Sequence, residues 1–286
     1  MISLDAWRAQ GTTFDWRGHR IFACAAGAGH PVLLVHGFPT SSWDWAAQWD
    51  ALAARYRVLA LDMIGFGFSA KPRDFDYSIL AQADIFGALL AREGVTRYHL
   101  VAHDYGVSVA QELLARQRHD HEPRIASVCL LNGGLFPESH RALLTQKLLA
   151  SPLGPLVARL SSYRTFAASM RRIWGTHPLP DDELRAMWAL VIESAGPRVM
   201  PRIIGYIAER RRNRERWVGA LTSATVPLRF INGLLDPISG AHTVARYREL
   251  VPHPDVVELP DTGHYPQVES PGVVTPAILE FLARHA

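Results

Sequence analysis

Cysteine is nearly absent. Cys24 and Cys129 are the only two in 286 residues, and each lies in an apolar, strand-like run where a free thiol packs as a small hydrophobe. That argues against a disulfide framework and for a reducing compartment. Long apolar runs are missing too, since none reaches the roughly 20 residues of a membrane-spanning helix. Residues 1–8 lack the apolar run of a secretory signal, so the expected location is cytoplasmic, with no integral membrane segment. Neither sign of charge dominates: 30 Lys and Arg face 27 Asp and Glu. No nucleic-acid-binding motif accompanies the small basic excess, which speaks against a nucleic-acid partner. The basic run at residues 209–216 carries acidic residues of its own and reads as a solvated helix face. His119-Asp120-His121 puts two imidazoles in a surface turn without supporting Cys or His, so no metal is called for. Gly65-Phe66-Gly67 lacks the third glycine of a dinucleotide loop and reads as a tight turn, so no cofactor is called for either.

What is present is a strand and helix alternation. Apolar runs at residues 12–16, 20–24, 31–35, 58–61, 98–103, 125–131, 226–231 and 256–259 read as strands. The first two flank Arg17-Gly18-His19 and form a hairpin. Those with apolar residues on both faces, such as Pro31-Val32-Leu33-Leu34-Val35, belong to a sheet covered on both sides. Helical spacing occupies residues 43–54, 78–92, 241–250 and 273–284, and a further helix opens near Val107. The expected fold is α/β, a mostly parallel doubly wound sheet with its site at the strand carboxyl ends. Residues 135–223 depart from that rhythm. Helices rich in Arg, Leu and Trp, punctuated by Pro152, Gly154, Pro155, Pro178, Pro180, Pro197 and Pro201, are too long for a loop. They read as a helical cap, dividing the chain into core (1–134), cap (135–223) and core (224–286).

Three ionisable residues follow predicted strands. Asp104, in His103-Asp104-Tyr105-Gly106, sits between a buried strand and the Val107 helix, where free N–H groups and the helix dipole stabilise a carboxylate. The layout is that of a nucleophile elbow, G-x-S-x-G, with Ala102 for the first glycine and Asp104 for the serine. Asp236 and His264 follow in the order nucleophile, acid, histidine that this elbow entails. His36-Gly37-Phe38-Pro39, after the third strand, supplies a loop whose Phe38 N–H, with that of Tyr105, would form an oxyanion hole. Pro39 admits a cis peptide there, although most such bonds are trans.

In order along the chain, His36-Gly37-Phe38-Pro39, Asp62-x-x-Gly65-x-Gly67-x-Ser69, His103-Asp104-Tyr105-Gly106 and Gly263-His264 resemble the α/β-hydrolase superfamily. Within it they resemble the aspartate-nucleophile branch of epoxide hydrolases and haloalkane dehalogenases. Residues 131–141 and 216–221 extend the likeness into the cap, toward a vertebrate member without a settled substrate. The resemblance implies a small apolar electrophilic substrate, a covalent ester on Asp104, and water activated by His264, itself oriented by Asp236. It also implies a cap tyrosine as proton donor for an epoxide, at the place of Tyr206. Tyr163 is a weaker second cap tyrosine, with His177 as its substitute. His36, Pro39 and Trp174 are further candidate substrate contacts, although large aromatics at helical spacing are more often core. Tyr105 replaces the Trp that usually follows a dehalogenase nucleophile, and Phe38 replaces a polar halide ligand. Both favour epoxides, with haloalkanes as the alternative. Two further readings are an acyl hydrolase or acyltransferase, for which Ser108 is badly placed, and a noncatalytic binding protein.

Overall fold

The computed structural model describes residues 2–118 and 124–285, so His119-Asp120-His121 lies outside the described residues. Eight strands form one sheet: β1 (Thr12–Trp16), β2 (His19–Ala26), β3 (Pro31–Val35), β4 (Arg57–Leu61), β5 (Tyr98–His103), β6 (Ile125–Leu131), β7 (Leu228–Gly233) and β8 (Asp255–Leu259). Their spatial order is β1-β2-β4-β3-β5-β6-β7-β8. The β1/β2 hairpin and the β2/β4 pair are antiparallel, and the remaining pairs are parallel. This is the mostly parallel, doubly wound sheet that the alternation predicts.

Successive side chains of a strand point to opposite faces, and the two hydrophobic clusters divide accordingly. Leu33, Leu59, Leu100 and Leu130 join one cluster, while Leu34, Ala60, Val101 and Cys129 join the other. On the first face lie helices α3 (Ile79–Arg92) and α4 (Tyr105–Arg116); on the second lies α2 (Ala46–Ala53). An amino-terminal helix, α1 (Leu4–Gln10), adds Trp7 against Trp49 at 4.7 Å. Cys24 and Cys129 are buried free thiols.

The helix expected at residues 43–54 is split. A 3-10 turn, Ser42–Trp45, precedes α2 because the Ser41 hydroxyl accepts from the Trp43 N–H and the Asp62 carboxylate accepts from both the N–H and the hydroxyl of Ser42. Asp62 also accepts from Phe68 N–H, which folds the Gly65-Phe66-Gly67 loop back on the strand end.

Between β6 and β7 run α5 (Leu144–Leu149), α6 (Gly154–Arg159), α7 (Tyr163–Ile173), α8 (Asp181–Ile192), a 3-10 segment (Glu193–Arg198), α9 (Met200–Ile203), α10 (Tyr206–Arg212) and α11 (Arg214–Thr222). Three helices follow in the rest of the chain: α12 (Ala241–Leu250), α13 (Pro266–Glu269) and α14 (Pro271–Arg284). Both ends of the inserted segment are anchored on the sheet side, where Leu135, Phe136, Trp217 and Leu221 share the α4 cluster.

The basic run 209–216 is a solvated face only in part, with Arg211, Arg212, Glu215 and Arg216 exposed. Glu209 and Arg210 are buried. Glu209 accepts from the Ile79 N–H at the start of α3, and the Arg216 guanidinium and Trp217 indole converge on Glu112 of α4. Tertiary partners on the core bury one side of this charge-rich run and leave the other to solvent.

Candidate active site

The β5–α4 junction turns so sharply that Asp104 adopts φ 46° and ψ −108°. A residue with a Cβ reaches such a backbone only under tertiary constraint. The constraint is visible: the Asp104 N–H donates to the Asn132 carbonyl at 2.8 Å, and the Asp104 carbonyl accepts from Val107 N–H. Gly106 lets the α4 start approach β3, since a Cβ there would lie 2.6 Å from the His36 carbonyl. The Asp104 carboxylate is thereby lifted over the strand ends at the first turn of α4, where the Tyr105 N–H lies. Phe38 N–H donates to Asp104 Oδ2 at 3.0 Å.

His264 faces it. Its Nε2 lies 3.7 Å from Asp104 Oδ1, and its Nδ1 is 2.7 Å from Asp236 Oδ2. Asp236 also accepts from Asn132 Nδ2, the Ser239 hydroxyl and the Ile238 N–H. The loop after β8 that carries His264 is held at several points. His103 Nε2 donates to the His264 carbonyl at 2.8 Å, and the His264 N–H donates to the Ile173 carbonyl at 2.8 Å. Glu269 accepts from the N–H groups of Gly175, Gly263 and Tyr265.

The charges reinforce one another. Burial disfavours charge on His264, but the Asp236 carboxylate, with Asp104 beside it, reverses that and holds the imidazole above its ordinary value. Burial likewise favours a neutral Asp104, yet the neighbouring His264 and then Arg210 keep its carboxyl well below the usual carboxylate range. Burial pushes His103 down to about 4, so that ring is a neutral spacer.

Asp104 and His264 open on a cavity of about 340 Å³. Phe38, Pro39, Leu143, Leu149, Phe166, Met170, Trp188 and Ile238 make most of its wall apolar. Asp104 and His264 are the ionisable side chains on that wall. This volume suits a small apolar molecule.

A model of the alpha/beta hydrolase fold matches residues 30–271. The chain belongs to that family. The human mesoderm-specific transcript homolog protein is 44% identical over 283 residues, covering 94% of this chain and 84% of its own length. Among solved structures, a loop variant of haloalkane dehalogenase DbeA from Bradyrhizobium elkanii superposes with a TM-score of 0.79 at 22% identity, covering 96% of each chain. Epoxide hydrolase CorEH does so with a TM-score of 0.79 at 20% identity, covering 96% of this chain and 98% of its own. At those identities the two structures share the fold.

Of the residues singled out in the sequence, the fold brings together Asp104, Asp236, His264, Phe38, Tyr105 and Pro39. The Phe38–Pro39 peptide is cis. Other candidates stand elsewhere. His36 is a buried strut: its Nδ1 donates to the Gly37 carbonyl and its Nε2 accepts from Met63 N–H. Tyr163 is off the cavity, its hydroxyl bound to Asp181, and so forms no second cap donor. His177 faces Ser270 and Asp261 at the protein surface rather than the cavity. Trp174 stacks on Tyr265 at 5.9 Å, and Trp188 takes the cavity wall instead. Tyr206 packs 4.9 Å from the Tyr105 ring and 6.2 Å from the Phe38 ring, behind the wall that Phe38 forms. Its hydroxyl is buried without a hydrogen-bond partner.

Arg210 escaped the sequence reading. From α10 its Nη2 donates to the Asp104 carbonyl at 3.1 Å and its Nε to the Ser108 hydroxyl at 2.5 Å. Gly134 makes room for it, since a Cβ there would lie 2.2 Å from Nη1. The signal was available in the spacing: residues 203, 206 and 210 fall on one helical face, and Ile203 and Tyr206 mark that face as buried.

Proposed function

We propose that this chain hydrolyses a small apolar electrophile through an ester on Asp104, and that its substrates are epoxides. The carrying observation is that the Asp104 carboxylate and the His264 imidazole meet across 3.7 Å at the end of one apolar cavity. A carboxylate is ionised at neutral pH and attacks saturated carbon without a base to activate it. Ser108, the alternative nucleophile of an acyl hydrolase, lies inside α4 with its hydroxyl bound by Arg210.

In the first step Asp104 forms a bond to an epoxide carbon as the ring C–O bond breaks, and the alkoxide takes one proton. Tyr206 is the assigned donor: its hydroxyl is buried behind Phe38, so the Phe38 ring turns aside for the alkoxide to reach it. Burial first, and the Asp104 charge second, raise its phenol and keep the proton in place until an oxyanion draws it. Esterification neutralises Asp104, one of the two carboxylates that raise His264, so the imidazole releases its proton to solvent and becomes a neutral base. His264 then takes a proton from water as hydroxide adds to the ester carbonyl. The Phe38 N–H, which already reaches the carboxylate, stabilises the tetrahedral oxyanion. Collapse expels the substrate oxygen, which takes the proton from His264. The regenerated carboxyl, now carrying the water oxygen, returns its own proton to Tyr206, and His264 regains a proton from solvent as the Asp104 charge returns.

A haloalkane is the second reading, favoured by one observation: Tyr206 stands behind Phe38 rather than on the cavity wall, and a halide leaves as an anion that needs no proton donor. A panel of alkyl and aryl epoxides and bromoalkanes, tried on wild type, Asp104→Ala and Tyr206→Phe, separates the two. Epoxide turnover lost in Asp104→Ala and reduced about a hundredfold or more in Tyr206→Phe is the expected outcome. Bromide release that persists in Tyr206→Phe, without epoxide turnover, would replace epoxides by haloalkanes. Ester cleavage that survives Asp104→Ala would remove the covalent mechanism.

A further inference from the structure

The outer surface of the α5–α6 hairpin is apolar where a soluble surface is normally polar. Leu144 (64% exposed), Leu153 (58%), Leu156 (54%) and Leu160 (68%) stand out from it within 17 residues. Single exposed leucines scattered over a surface need no explanation, whereas four gathered on one short hairpin mark an interaction surface. The inward side of the same hairpin supplies Leu143, Leu149 and Val157 to the cavity wall. Leu160 does both, so the cavity reaches the surface at this patch.

Charge identifies what covers the patch. Residues 139–180 contain no Asp or Glu and six basic residues: Arg141, Lys147, Arg159, Arg164, Arg171 and Arg172. A groove beside α6 is lined by Arg73, Arg159 and Arg198 and meets the cavity at Ser161, which borders both. Exposed leucines flanked by cations are the composition of a helix that lies in the headgroup region of an anionic bilayer. Among the described residues no helix is long and apolar enough to cross a membrane, so the contact is peripheral.

We propose that α5–α6 docks this protein on an anionic lipid surface, with the cavity mouth against the bilayer, so that apolar substrate partitions from lipid into the site. The docking itself does not depend on the Asp104 chemistry. It is tested by sedimentation of the full chain with vesicles of phosphatidylcholine alone and of phosphatidylcholine with about one third phosphatidylserine. Wild type is expected on the phosphatidylserine vesicles only, and to leave them at about 1 M salt, where the screening length falls to about 3 Å. Lys147→Gln/Arg159→Gln should weaken binding roughly 30-fold, at about one kcal/mol per cation. Leu144→Ser/Leu153→Ser/Leu156→Ser, three residues off the cavity wall, should weaken it at least about tenfold with an unchanged circular dichroism spectrum. Wild type left in the supernatant with both vesicle types would overturn the proposal, as would equal binding to both. A concentration-dependent dimer in light scattering, abolished by the serine variant, would assign the face to a second copy and overturn it as well.

Discussion

The carboxyl edge of the sheet and the α5–α6 hairpin are held by different forces. At the sheet edge, Asp236 accepts four hydrogen bonds, Glu269 accepts three main-chain N–H groups, and Arg210 ties α10 to the Asp104 turn. Across residues 143–161 the side-chain hydrogen bonds are local, between Leu143 and Gln146, Ser151 and both Leu148 and Leu153, and Val157 and Ser161. The hairpin is otherwise positioned by apolar contact. An over-determined polar network fixes reacting atoms, and an apolar layer fixes which molecules reach them. Changes at the sheet edge should therefore damage chemistry, while changes in the hairpin should alter access.

The largest break should come at Asp236. Asp236→Asn leaves the shape but removes the charge and reverses the hydrogen-bonding demand on His264 Nδ1, so ester hydrolysis should slow roughly a thousandfold to ten-thousandfold. Rapid-quench kinetics with an epoxide would read this as ester accumulating after a normal first step. Acid has the same direction of effect. Lowering the pH protonates His264 in the ester form, so hydrolysis should fall about tenfold per unit below that imidazole's pKa. Alkylation should continue, because the Asp104 carboxyl is held low. Ester measured by intact mass should thus rise as pH falls.

Arg210→Met sharpens the contrast from the other direction, because Arg210 belongs to the inserted segment but acts on the elbow. Losing its two charge-assisted hydrogen bonds should cost about 2 kcal/mol in urea unfolding. It should also shift the acid limb of the alkylation rate upward, since its charge helps to ionise Asp104. Tyr163→Phe should do least. Its hydroxyl meets Asp181 at the protein surface, off the cavity, so stability should change by no more than about 0.5 kcal/mol and turnover should be unchanged.

What could be read from the sequence follows the same division. The strands and the sequence order of Asp104, Asp236 and His264 are legible because period-two apolar runs and a strand-turn-helix motif are local signals. Residue type alone points to Tyr163, Trp174 and His177, which lie at the two ends of α7 and in the loop beyond it, where no local rule fixes the direction of a side chain. Tertiary packing turned Tyr163 to Asp181 and His177 to Ser270. Arg210 was hidden for the opposite reason. A run of arginines reads as solvent-facing unless the helical face it shares with Ile203 and Tyr206 is traced, and its partners Ser108 and Asp104 lie about a hundred residues earlier. Glu269 has no sequence signal either, since its three partners are main-chain groups assembled by the loops after α7 and β8.

The most direct test is the intact mass of His264→Phe after exposure to an epoxide that wild type turns over. The protein should gain the full mass of one epoxide, on the peptide that contains Asp104, and the gain should be absent when Asp104→Ala is added. Unmodified His264→Phe protein, recovered under conditions where wild type is active, would contradict a covalent ester on Asp104.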